Sequence, residues 1–140
     1  MGLSSTGLIL DTSVVIAAER RAHSVLEMLQ QLRATHGKID IGLSVVTVAE
    51  LMHGVFRSRS ESQKQGRLRF INRLTIDLPV YSLNLAMART LGRIEGEQGA
   101  KGVKIAFQDL AIGVTELHLD FEGATLNVRH FQLIPGLRIA

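Results

Sequence analysis

At 140 residues with a formal net charge of +3, the chain is long enough for one domain with a sizeable core, so residues 1–140 are expected to form a single unit. It is 46% apolar yet carries only five Phe, one Tyr and no Trp, so its core must be aliphatic; that suits helices layered on a parallel sheet. The lack of Cys excludes disulfides and thiolate metal sites, and no stretch approaches the ~20 apolar residues of a membrane span. Residues 1–7 have neither a basic start nor a long apolar run, so no leader is expected and the cytoplasm is the expected compartment.

In chain order, GLIL (7–10) reads as a short strand buried on both faces. It ends at Asp11. Ser13 is placed to cap a helix that continues through Val14, Val15, Ile16 and Ala17, which would leave the Asp11 carboxylate free for other work. Residues 23–35 put Val25, Leu26, Leu29 and Leu32 at helical spacing, and Gly37 ends the run. IDIGLS (39–44) is a second strand. A helix follows through about Phe56, with Val48, Leu51, Met52 and Val55 on one stripe, and another starts after Ser60 with Gln63 completing a capping box.

TIDLPVYSL (75–83) holds a third strand that Pro79 keeps short or at an edge. Residues 84–97 read as helix, with Leu85, Ala88, Leu91 and Ile94 in register. EGEQGAKG (95–102), with three glycines, reads as loop. Helix returns at 106–117, and brief strands are expected at 119–121 and 123–125 before a turn at LNVRHF. Strands separated by helices predict a three-layer α/β/α domain with a mainly parallel central sheet.

Charge is unevenly spread. Between Arg57 and Arg73, six cations including Arg57, Arg59 and Arg67 face a single acid, Glu61; such a run either holds phosphates or forms a solvated helix face. Open α/β sheets collect ligands beyond the carboxyl ends of their strands, and Asp11 stands at such an end, with the hydroxyls of Thr12 and Ser13 behind it. Glu50 lies three residues after Thr47, so a capping box and a functional role are evenly matched.

On the helix at 106–117, Phe107, Leu110, Ala111, Val114 and Leu117 form the expected core stripe, leaving Asp109, Gly113 and Glu116 on the opposite face. A mid-helix glycine costs ~1 kcal/mol relative to Ala, so Gly113 suggests that something approaches that face closely. Glu116 is a possible further polar ligand, with salt bridging or solvation the simpler reading. Asn127 alone reads as a turn or capping residue.

Taken together, LDTSVVI, TVAEL, QDLAIG and TLNVRHFQLIPGL, in this order from Leu8 to Leu137, resemble the PIN domain, and more narrowly the VapC-type toxins of toxin-antitoxin pairs. The likeness is thin through residues 57–105. It implies an endoribonuclease dependent on Mg²⁺ or Mn²⁺, with Asp11, Glu50 and Asp109 as its acids and Asn127 in the fourth place. On this reading Asp11 and Asp109 would hold the metal, Glu50 would orient or deprotonate water and Asn127 would support them, while the hydroxyls or N–H groups of Thr12 and Ser13 and the charge of Arg57, Arg59 and Arg67 would, by their own chemistry, meet RNA. It further implies a cognate antitoxin and a homodimer. Two departures stand out: relatives often have Arg where this chain has Leu126, and a small residue where it has Glu116.

The donor chemistry agrees, since clustered carboxylates repel one another until a hard cation neutralises them, and no H-x-x-x-H spacing offers a zinc site. A catalytically inactive PIN-like module binding RNA or protein is the alternative. A phospho-receiver fits less well, because it needs an acidic pair after its first strand and LILDTS has one acid.

Overall fold

A computed structural model describes residues 7–140, so the expectation of no leader falls, but for Gly7, outside the described residues. Strands β1 (Gly7–Leu10), β2 (Asp40–Ser44), β3 (Val80–Tyr81) and β4 (Glu122–Ala124) form one parallel sheet in the order β3-β2-β1-β4. The helices are α1 (Thr12–Arg20), α2 (Val25–His36), α3 (Val45–Phe56), α4 (Glu61–Asp77), α5 (Leu85–Ala100), α6 (Phe107–Leu119) and α7 (Val128–Phe131). Adjacent strand residues face opposite ways, and this divides the core. Leu8 and Leu10 pack with α1 to α4, while Ile9 packs with α5, α6 and α7. The expected three-layer α/β/α architecture is therefore present. Asp11 continues the alternation of Ile9 and points to the α6 side, at the carboxyl edge of the sheet.

Most local signals act as read. Ser24 and Glu27 form a reciprocal capping box at α2, and Gly37, at φ +87°, ends that helix. β3 is two residues long, at the sheet edge beside Pro79. The Ser60 hydroxyl accepts from Gln63 N–H, whereas the Gln63 side chain accepts from Arg59 rather than from Ser60, so the box closes one residue early.

Four expectations need correction. Ser13 does not cap α1: Asp11 holds the N-cap position, its side chain makes no capping hydrogen bond, and Ser13 lies inside the first turn. Residues 95–100 are helical, because α5 runs on from its buried Leu91 and Ile94, Arg93 pairs with Glu97, and the Gln98 amide donates to the Leu133 carbonyl. The turn comes instead at Gly102, with φ +78°. Residues 119–121 are not a strand; α6 extends to Leu119 and Asp120 closes it in the left-handed region.

The fourth correction concerns α6 itself, which is buried all round from Leu110 to Glu116 while Phe107 is exposed. The close approach expected at Gly113 is present and is made by Ile134, since a Cβ on Gly113 would lie 2.5 Å from its Cδ1.

Candidate active site

The end of β1, the start of α1, the middle of α3, the first turn of α6 and the loop after β4 meet at the carboxyl edge of the sheet. Asp11 is 4% exposed, and its Oδ2 accepts from the Ser13 hydroxyl at 2.6 Å and the Thr125 hydroxyl at 2.8 Å. Those hydroxyls are themselves oriented. Leu126 N–H donates to Ser13 Oγ at 3.0 Å, and Asn127 N–H to Thr125 Oγ1 at 2.8 Å. The loop 125–127 is thus stitched to β1 by a relay of four hydrogen bonds that converges on one carboxylate oxygen.

Glu50 is not part of a capping box, because α3 begins earlier, with the Ser44 hydroxyl accepting from Val46 N–H. Its carboxylate instead accepts from the Thr12 hydroxyl at 2.7 Å. Consecutive residues therefore serve two acids: Thr12 holds Glu50 and Ser13 holds Asp11. Their hydroxyls are spent on positioning, which moves any substrate role for Thr12 and Ser13 to their backbone N–H groups in the first turn of α1.

Asp109 lies in the first turn of α6 with its side chain 20% exposed, its Oδ2 3.6 Å from His130 Nδ1. Burial raises its pKa, the Asp11 charge raises it further, and His130 opposes them. Asp11 and Asp109 therefore share one electrostatic environment. Asn127 occupies the N-cap position of α7 but its side chain caps nothing and is exposed.

Glu116 overturns the solvated reading. It is 1% exposed, and both carboxylate oxygens lack a hydrogen-bond partner. They lie against Gly123 of β4, where an added Cβ would come within 2.5 Å of each. Burial first, then the charge of Asp11, pushes the Glu116 pKa up to about 9.

In the basic run, Arg57 and Arg59 are exposed. Arg67 is not a free cation: its Nη1 donates to the Gly54 carbonyl at 2.9 Å and to Ser58 Oγ at 3.1 Å, and its Nε is 3.7 Å from Glu19. It ties α4 to the end of α3 and to α1. Thr125 and His130 went unread in the sequence; the available signal for Thr125 was its place two residues before Asn127.

Among the described residues, no three His, Asp or Glu side chains are grouped closely enough to enclose an ion as they stand. The donor chemistry nonetheless fits a hard divalent cation. All the acids offer oxygen, Asp109 is held against the Asp11 charge, and Glu116 brings two orphaned oxygens.

Residues 8–133 match the PIN domain family. Ribonuclease VapC1 of Rickettsia felis is 28% identical over 133 residues, covering 95% of this chain and 94% of the relative. Ribonuclease VapC2 of the same organism is 31% identical, covering 91% and 92%. VapBC-1 of nontypeable Haemophilus influenzae has a structure that aligns with a TM-score of 0.78 at 25% identity, covering 96% of both chains.

Proposed function

This chain belongs to the PIN domain family, and from that premise we propose that it is the ribonuclease toxin of a toxin-antitoxin pair, cutting RNA internally by hydrolysis of phosphodiester bonds with Mg²⁺ or Mn²⁺ as cofactor. One observation carries the reading: Asp11 is buried at a strand end, with one oxygen fixed by Ser13 and Thr125, and its charge bears on Asp109. Two acids so placed gain most from a shared cation. Asp11 and Asp109 would hold it. When bound, the ion would stabilise charge on the phosphate oxygens and acidify the attacking water.

The chain's own groups supply the rest. Glu50, steadied by Thr12, orients that water and takes its proton. The exposed Asn127 offers an uncharged oxygen and N–H to a ligand or water at the rim. The first-turn N–H groups of Thr12 and Ser13 face an anion favourably. Arg57 and Arg59 hold flanking phosphates.

The test is direct. Incubated with tRNA and rRNA, the protein should release internal fragments with Mg²⁺ present and none in EDTA. Cleavage that survives chelation overturns the metal-dependent reading, and RNA binding without cleavage under any divalent ion favours the inactive module. Replacing Arg57 and Arg59 by Gln should weaken RNA binding and flatten its salt dependence by roughly 0.7 in log–log slope per lost phosphate contact. An unchanged slope would make the run a solvated face.

A cognate antitoxin is inferred as partner, since relatives of matching length are named VapC and the structural neighbour is a VapBC protein. Leu29 and Leu51 belong to the core, whereas Leu26 of α2 and Val45 and Phe56 of α3, 62%, 40% and 68% exposed, are left to be covered. Homodimerisation is proposed on the family resemblance.

A further inference from the structure

We propose that Glu116 is an inner ligand of the divalent cation, a carboxylate that reaches the site from inside the protein, beneath Asp11, where the bare backbone of Gly123 makes room for it. The inference rests on the metal-dependent reading above and adds a residue to it. Ile9 pairs with Gly123 and Leu10 with Ala124, and Asp11 N–H continues the ladder to the Ala124 carbonyl at 2.9 Å. Side chains two apart on a strand share a face, so Ile9 and Asp11 both point toward α6, as do Gly123 and Thr125. Glu116 lies against Gly123, which places its carboxylate about one side-chain row, roughly 6.6 Å, behind the row of Asp11 and Thr125.

Along α6, Asp109 and Glu116 are two turns apart on one face, about 10.5 Å along the axis. Asp11 exerts its charge on both. The helix therefore carries one acid at the mouth and one at the floor, with the strand-end acid between them.

The floor acid is what needs explaining. A buried carboxyl is normally met by hydroxyls, N–H groups or a cation. Asp11 has Ser13 and Thr125, and Glu50 has Thr12, but both oxygens of Glu116 have none. Packing does not require an acid there, since its apolar neighbours on α6, Ile112 and Val114, are already in the core. A cation drawn down toward Asp11 supplies the missing partner, and hard divalent ions choose carboxylate oxygens.

The experiment titrates Mn²⁺ into the full chain and follows the free ion by its electron paramagnetic resonance amplitude, with no RNA present. Wild type, Glu116→Gln and Asp11→Asn are compared, with circular dichroism confirming the fold of each. The inference expects Glu116→Gln to weaken Mn²⁺ binding about ten- to a hundredfold, the scale on which groups around a bound metal count. It also expects Glu116→Ala to raise the water proton relaxivity of the bound ion, because water takes the vacated position. If Glu116→Gln binds as wild type does, or relaxivity is unmoved in Glu116→Ala, the inference is overturned. Loss of binding in Asp11→Asn alone would then leave the metal-dependent reading standing, whereas a wild type that takes up no Mn²⁺ would end both.

Discussion

Asp11→Asn is expected to lower RNA cleavage by at least about a hundredfold, the scale of a single electrostatic group in an active site, while leaving the fold in place. The substitution keeps the shape of a side chain that is 4% exposed. An Asn oxygen at the Oδ2 position still accepts from Ser13 and Thr125, so the relay linking β1 to residues 125–127 survives. What disappears is the charge. Cation affinity falls with it, and so does the contribution of Asp11 to the raised pKa of Asp109.

That second effect gives the variant a signature independent of activity. In the metal-free protein, the Asp109 carboxyl should titrate lower in Asp11→Asn than in wild type, although not at its ordinary value, because burial is the larger cause of its rise and remains. Carbon-detected magnetic resonance of the Asp109 carboxyl reads this directly. Cleavage within about threefold of wild type, with the Asp109 titration shifted as expected, would remove Asp11 from the chemistry.

The sheet, its parallel sense and the position of Asp11 at its carboxyl edge are legible because each is written locally. GLIL and DIGLS are short buried runs, and Gly37 and Pro79 are punctuation whose physics is fixed by φ. Errors arose where a local rule competed with a distant partner. Ser13 has the composition of a cap, but a strand-end carboxylate two residues back takes its hydroxyl. Glu50 has the spacing of a capping box, but Ser44 starts the helix three residues before Thr47, and Thr12 claims the acid. Thr125 meets Asp11 across 114 residues, a separation that no window of sequence spans.

α6 misled for another reason. A polar face at helical spacing reads as solvent-facing only when the helix lies on the outside. Here α6 is covered by the sheet on one side and by α5 and α7 on others, so its polar positions have nowhere wet to go. Asp109 escapes at the helix start. Glu116, two turns further in, does not.

Glu116→Gln should therefore stabilise the metal-free protein, increasingly so as pH rises. The Glu116 carboxyl goes from an ordinary value of 4.5 to about 9 on folding, so between these limits the folded chain holds a proton that the unfolded chain has released. Stability then falls as pH rises through that window, by about 1.4 kcal/mol per unit. Below the lower limit both states are protonated, and above the upper limit both are ionised, so the slope vanishes outside the window. Gln has the same shape and no proton to lose. Relative to its own value at about pH 4, the advantage of the variant should reach about 4 kcal/mol near pH ~7.5, measured as a difference in urea unfolding free energies. Parallel pH profiles for the two proteins would mean that Glu116 ionises freely in the fold, against its burial. Saturating Mn²⁺ should narrow the gap: an ion that binds the folded state stabilises wild type by mass action, and a variant that binds it ten- to a hundredfold more weakly gains about 1.4 to 2.7 kcal/mol less. A group that weakens the empty protein and returns part of that loss when the ion binds serves its ligand rather than the core, and the narrowing of the gap between the two stability curves on adding Mn²⁺ is the form that distinction takes.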